Sequence, residues 1–125
     1  MIEGIELARA AAEYADNKQA EDIRILDLRG LSSITDFFVI CSGGSMPHLK
    51  AIRKEIREKL KEEHDVLPLS SDGNAETQWV VLDFVDVIVH IFHRARREHF
   101  ALEELWGDAE VIEFEPSAAP AEVPA

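Results

Sequence analysis

The sequence predicts a mixed α/β fold in one domain: a sheet of about five strands with helices packed on it. Three observations carry this. The chain has 125 residues, 46% hydrophobic and 30% charged, the composition of one globular unit. Apolar residues recur at helical spacing in some stretches, and strand-length apolar or alternating runs fill the segments between. The resulting order, α-β-β-α-β-β-β-α, sets helices against a mixed sheet. A chain this long buries roughly two thirds of its unfolded surface and needs no disulfide or metal to hold a core.

Residues 2–18 read as a helix, with Ile5, Ala8, Ala12 and Ala15 in one stripe. Residues 23–28 alternate as a strand, Ile23 and Ile25 on one face and Arg24, Leu26 and Leu28 on the other. Phe37 to Cys41 is a continuous apolar run, as in a strand covered on both faces. Ser42-Gly43-Gly44-Ser45 stops it, and Ser45 is positioned to cap a helix with Pro47 in its first turn. That helix, 46–63, carries Leu49, Ile52, Ile56 and Leu60 inward and Lys, Arg and Glu outward. It should return the chain by a right-handed crossover to a strand parallel to Phe37–Cys41.

Val66 to Leu69 reads as a short edge strand limited by Pro68, and Ser70 to Gln78 as a polar loop around the Asp72-Gly73 turn signal. Trp79–Phe84 and Val87–Phe92 are the strongest strand signals, and the short link between them demands an antiparallel hairpin. A last helix is expected over 96–106 with Gly107 as its stop, and Glu110 to Phe114 could add a terminal strand. The domain is expected to occupy 1–115. Residues 116–125, rich in Pro and Ala, read as a disordered tail.

Thirteen basic side chains face 25 acidic ones, for a net charge of −12. The last 28 residues carry −8 of it. Such a chain is repelled by phosphate backbones, so direct nucleic-acid binding is disfavoured and a basic protein partner favoured. A single cysteine, Cys41, excludes a disulfide framework. No run of about 18 apolar residues provides a membrane span. The acidic start, Met1-Ile2-Glu3-Gly4-Ile5-Glu6, is unlike a targeting peptide, so a cytoplasmic location is expected.

Gly43-Gly44-Ser45 ahead of a helix suits an anion and resembles the Gly-Ser turn of nucleotidyltransferases, which gives an alternative reading as a nucleotide-handling enzyme. Those enzymes also need paired acids for magnesium. The nearest acids, Asp83 and Asp86, straddle a hairpin turn, so a turn plus helix cap is the better reading. His90, His93 and His99 lack the spacing and companion ligands of a zinc site and read as core or surface histidines. Arg94-Ala95-Arg96-Arg97 is a local basic patch that could meet an acidic partner or RNA, with a solvated strand-to-helix connection as the better reading. Neither a catalytic residue, a metal site nor a cofactor is expected. Trp79, Val81 and Asp83 share one strand face, and Val80, Leu82 and Phe84 the other. Trp79 becomes an interface anchor if exposed and core if buried.

Three blocks together carry a resemblance: Leu31 to Gly43, Trp79 to Phe92, and Arg97 to Trp106. In order and spacing they resemble the ribosomal silencing factor family, RsfS, also termed Iojap-like, from about residue 5 to 109. The resemblance implies a nucleotidyltransferase-like topology without catalytic acids and a non-enzymatic role. It implies binding to the large ribosomal subunit through ribosomal protein number fourteen, which blocks joining of the small subunit and lowers translation under nutrient limitation. A homodimer is a further expectation, since some members self-associate. By position, Trp79, Phe84 and Phe100 would be apolar anchors, with Asp83, Asp86 and Arg97 meeting charged partner groups. Val85 stands where a hairpin Gly is usual, and because Val disfavours positive φ the turn is expected to differ. Phe84 and Phe100 stand where Tyr or another large residue is common, and Met46-Pro47-His48 replaces a polar stretch with an Arg.

Overall fold

Eight elements make up the computed structural model, which describes residues 4–31, 33, 35–74, 78–95 and 110–112. They are α1 (Gly4–Asn17), β1 (Glu21–Asp27), β2 (Phe37–Gly43), α2 (Met46–His64), β3 (Ser70–Asn74), β4 (Trp79–Asp83), β5 (Val87–His93) and β6 (Glu110–Ile112). The strands form one sheet in the order β3-β4-β5-β2-β1-β6. Only β2 and β5 pair in parallel; every other neighbouring pair is antiparallel. The sheet is therefore mixed, as expected, with β6 added as a short sixth strand at the position the sequence suggested.

Helix α2 follows its sequence signals closely. The Ser45 hydroxyl accepts the His48 amide at 3.2 Å, and Pro47 sits in the first turn, where no amide is needed. Leu49, Ile52, Ile56 and Leu60 are completely buried. The helix ends at Asp65 in the left-handed conformation, with the Val66 amide returning to the Leu60 carbonyl. Helix α1 packs closely through Ala8, Ala11, Ala12 and Ala15, all without exposed surface. Tyr14 reaches out of it to donate to Glu63 Oε1 at 2.7 Å, tying α1 to the end of α2. Burial and the Glu63 carboxylate push the Tyr14 phenol upward from its ordinary pKa.

Both helices contribute to one core with Ile25, Phe37, Val39, Cys41, Val80, Leu82, Phe84, Val87, Val89 and Ile91. The alternate residues of the same strands, Leu26, Leu28, Phe38, Ile40 and Phe92, form a second apolar cluster, with Trp79 and Ile88 packed against it. This two-sided burial explains why Phe37 to Cys41 reads as an unbroken apolar run.

Two expectations are corrected. The strand after α2 spans 70–74, not 66–69, so the Asp72-Gly73 pair lies within a strand. Asp72 stands opposite Val81 and Gly73 opposite Val80, and the Leu69 amide already reaches the Asp83 carbonyl at 2.6 Å. Pairing to β4 supplies ladder hydrogen bonds that outweigh the local turn preference, and a polar sequence suits an edge strand. The parallel partner of β2 is β5, reached only after β3 and β4, so the return crossover is longer than one helix. The expected helix at 96–106 and the tail at 116–125 lie outside the described residues.

Candidate partner-binding site

The β4–β5 hairpin is the most distinctive surface element. Its turn is built around Val85. The Asp86 amide donates to the Phe84 carbonyl at 3.1 Å, two residues back, and Val85 has φ +79°. That is a γ-turn with a β-branched residue at its centre, a strained arrangement. Val85 adopts the positive φ that Val disfavours and a Gly would take freely. The Asp83 carboxylate accepts the Val85 amide at 2.8 Å, and the Phe84 amide donates to the Val87 carbonyl at 2.8 Å. These bonds hold the turn while Val85 itself projects into solvent.

Period-two alternation sends the β4 side chains to opposite faces. Val80 and Leu82 enter the helix-side core, and Phe84 follows them at 6% exposure. Phe84 thus packs into the core of this chain. Trp79 belongs to the opposite face and is half-buried. Its ring stacks on Phe92 at 5.4 Å and on His90 at 5.9 Å between centroids, and its indole N–H donates to His90 Nδ1 at 3.1 Å. The Phe38 ring meets His90 edge-on at 4.4 Å. The four rings form one aromatic platform on the sheet face away from α1 and α2.

His90 is the unanticipated member of this platform. The indole is a pure donor, so Nδ1 must accept and the neutral ring carries its proton on Nε2. Nε2 is buried with no hydrogen-bond partner, and burial lowers the pKa to about 4. Its role as a core histidine agrees with the sequence reading. No group of three or more His, Cys, Asp or Glu residues able to hold a metal is present among the described residues.

The two candidate acids have different surroundings. Asp83 lies on the Trp79 strand face, partly exposed. Asp86 accepts the Gly4 amide at 2.6 Å and so caps α1, while its carbonyl receives the Asp36 and Phe37 amides. Its carboxylate is engaged in joining the hairpin to the first helix. Arg97 and Phe100 lie outside the described residues.

The Gly43-Gly44-Ser45 turn is already filled by its own chain. The Gly44 amide donates to His48 Nδ1 at 3.0 Å, and Ser45 caps His48. A Cβ on Gly44 would strike the Arg94 guanidinium, and one on Gly43 would meet Leu49. Arg94 is itself forked onto Glu21, which lowers the Glu21 pKa. The Gly44 and His48 amides are thereby engaged within the chain.

Comparison with known proteins assigns the family. A family model described as "Ribosomal silencing factor during starvation" matches residues 2–125. The ribosomal silencing factor of Bacillus subtilis is 38% identical over 109 residues, covering 87% of this chain and 92% of that protein. The chloroplastic Iojap protein of maize is 36% identical over 110 residues, covering 88% of this chain and 46% of that longer protein. Two crystal structures share the fold. One, of a Chromobacterium violaceum protein, has a TM-score of 0.80 at 31% identity and covers 95% of this chain and 98% of its own. The other, from Bacillus halodurans, has a TM-score of 0.76 at 34% identity and covers 89% and 100%. Translation regulation at the ribosome is the general role that goes with this kinship, and the chain belongs to the ribosomal silencing factor family.

Proposed function

We propose that the chain binds the large ribosomal subunit through ribosomal protein number fourteen and physically blocks docking of the small subunit, lowering translation under nutrient limitation. The mechanism is steric. It requires affinity and volume at one place and no bond chemistry, so we read the chain as non-enzymatic and acting in the cytoplasm.

The observation that carries this reading is Trp79, a half-buried aromatic on the sheet face away from both helices, backed by rigid Phe92 and His90 rings. Aromatic side chains held in one rotamer lose little entropy on binding and are common interface anchors. Asp83, on the same face at the other end of the strand, supplies negative charge, and the chain's net charge of −12 favours encounter with a basic ribosomal protein. Arg97 and Phe100 are assigned to the same contact by their position in the third sequence block. Asp86 and Phe84 act behind it, the one fastening the hairpin to α1 and the other to the core.

Co-sedimentation tests the reading. The chain should pellet with isolated large subunits and stay in the supernatant with small ones. A chain that ignores large subunits overturns the proposal.

A further inference from the structure

One flank of α2 has the opposite sign to the molecule that carries it. Of 13 lysines and arginines in the chain, five line one groove of about 730 Å³: Lys50, Arg53, Lys54, Arg57 and Lys61. Glu58 and Glu62 share the groove, so its lining is locally positive in a chain whose net charge is −12. The intervals of three and four residues gather these cations along one flank of α2, beside the buried stripe of Leu49, Ile52, Ile56 and Leu60. At 1.5 Å per residue they extend over roughly 16 Å of helix.

These charges are left largely unneutralised. Among the described residues, Lys50, Arg53, Lys54 and Arg57 have no ion-pair partner, and Lys61 meets only Asp65, at 3.9 Å. Arg57 Nε is shielded from solvent and has no hydrogen-bond partner. Close cations repel one another, and a polyanion docked against them would relieve that repulsion.

Two polyanions fit in principle, an acidic protein and an RNA backbone, and the lining separates them. Protein interfaces concentrate apolar and aromatic anchors at their centre, whereas nucleic-acid interfaces are polar and strongly positive. Among the described residues lining the groove, Leu67 is the one apolar side chain. We propose that this face of α2 docks the phosphate backbone of ribosomal RNA. The proposal rests on the reading that the chain sits on the large subunit, and it deepens it. Trp79 and the α2 cations lie on opposite sides of the sheet, so protein and RNA can be engaged at once. The acidic surplus that disfavours nucleic acid overall then restricts RNA to this one orientation.

The test compares two variants of equal net charge. One is Lys50→Gln/Arg53→Gln/Lys54→Gln/Arg57→Gln. The control is Arg9→Gln/Lys18→Gln/Arg24→Gln/Arg29→Gln, at exposed positions elsewhere. Circular dichroism verifies both folds, and binding to isolated large subunits is measured across salt concentrations. The α2 variant should lose at least about tenfold in affinity, and its salt slope should fall by about three, while the control stays near wild type. Equal losses in both variants, or no loss in either, overturn the RNA assignment and leave the ribosome reading intact. Failure of the wild-type chain to bind overturns both. A photo-crosslinker replacing Lys54 gives an independent readout: adducts with ribosomal RNA support the proposal, and adducts only with ribosomal protein overturn it.

Discussion

The Trp79 indole donates to His90 Nδ1 at 3.1 Å across neighbouring antiparallel strands. Trp79 lies opposite Phe92, so the bond runs diagonally to the residue two positions earlier on β5. This places the anchor proposed for the partner on a rigid aromatic base, and makes its orientation depend on a neutral histidine.

The bond gives Trp79 two separable jobs. Trp79→Phe keeps ring stacking on Phe92 but leaves Nδ1 unpaired, so stability should fall by about 1–2 kcal/mol. Trp79→Ala also removes the stacked ring and should cost about 3 kcal/mol. Urea denaturation of the two variants measures the difference. Equal losses would show that the hydrogen bond, not the stack, holds the ring.

His90 predicts a pH dependence. Its folded pKa is lowered from an ordinary 6.5 to about 4, so the unfolded chain takes up the proton first as pH falls. The stability contribution is complete above pH 6.5 and is lost progressively down to about pH 4. Glu21 and Asp27, whose pKa values are lowered by Arg94 and Arg29, add losses as pH falls through their ordinary values of 4.5 and 3.8. Denaturant midpoints at pH 7, 5.5 and 4.5 should fall progressively in the wild type and less steeply in His90→Gln. Parallel curves would contradict the assignment.

Val85 should be improvable. With φ +79° it stores strain of about 1–3 kcal/mol that glycine would not feel. Glycine's own chain entropy offsets part of this gain. Val85→Gly should therefore stabilise the fold by about 1 kcal/mol, raising Tm by roughly 4 °C. A lower Tm would mean that the turn carries no strain.

Asp86→Ala should release the first turn of α1, because the Gly4 amide loses its acceptor. The expected cost is about 1 kcal/mol, as for other helix caps. Amide exchange should quicken in α1 with little change in α2. Uniform acceleration across both helices would argue against a local capping role.

The helices and hairpin were legible because their signals are local. The Leu49-Ile52-Ile56-Leu60 stripe, the Ser45 cap and the short link after Asp83 each depend on neighbours in sequence. The β3 boundary was not, because Ser70 to Asn74 becomes a strand only through its ladder with β4. The exposure of Trp79 also escaped sequence reading, since both β4 faces carry large apolar residues and only the packing separates Phe84 from Trp79. The His90 bond joins residues on two strands, and no spacing rule announces it. The α2 cations were visible as a solvated face. Their significance emerges from their gathering in one groove with few opposing acids.

Subunit joining, followed by light scattering, tests the central claim most directly. Saturating chain added to isolated large subunits before small subunits should abolish the scattering rise, with half-maximal inhibition tracking occupancy of the large subunit. An undiminished rise, with the chain demonstrably bound to the large subunit, would contradict occlusion.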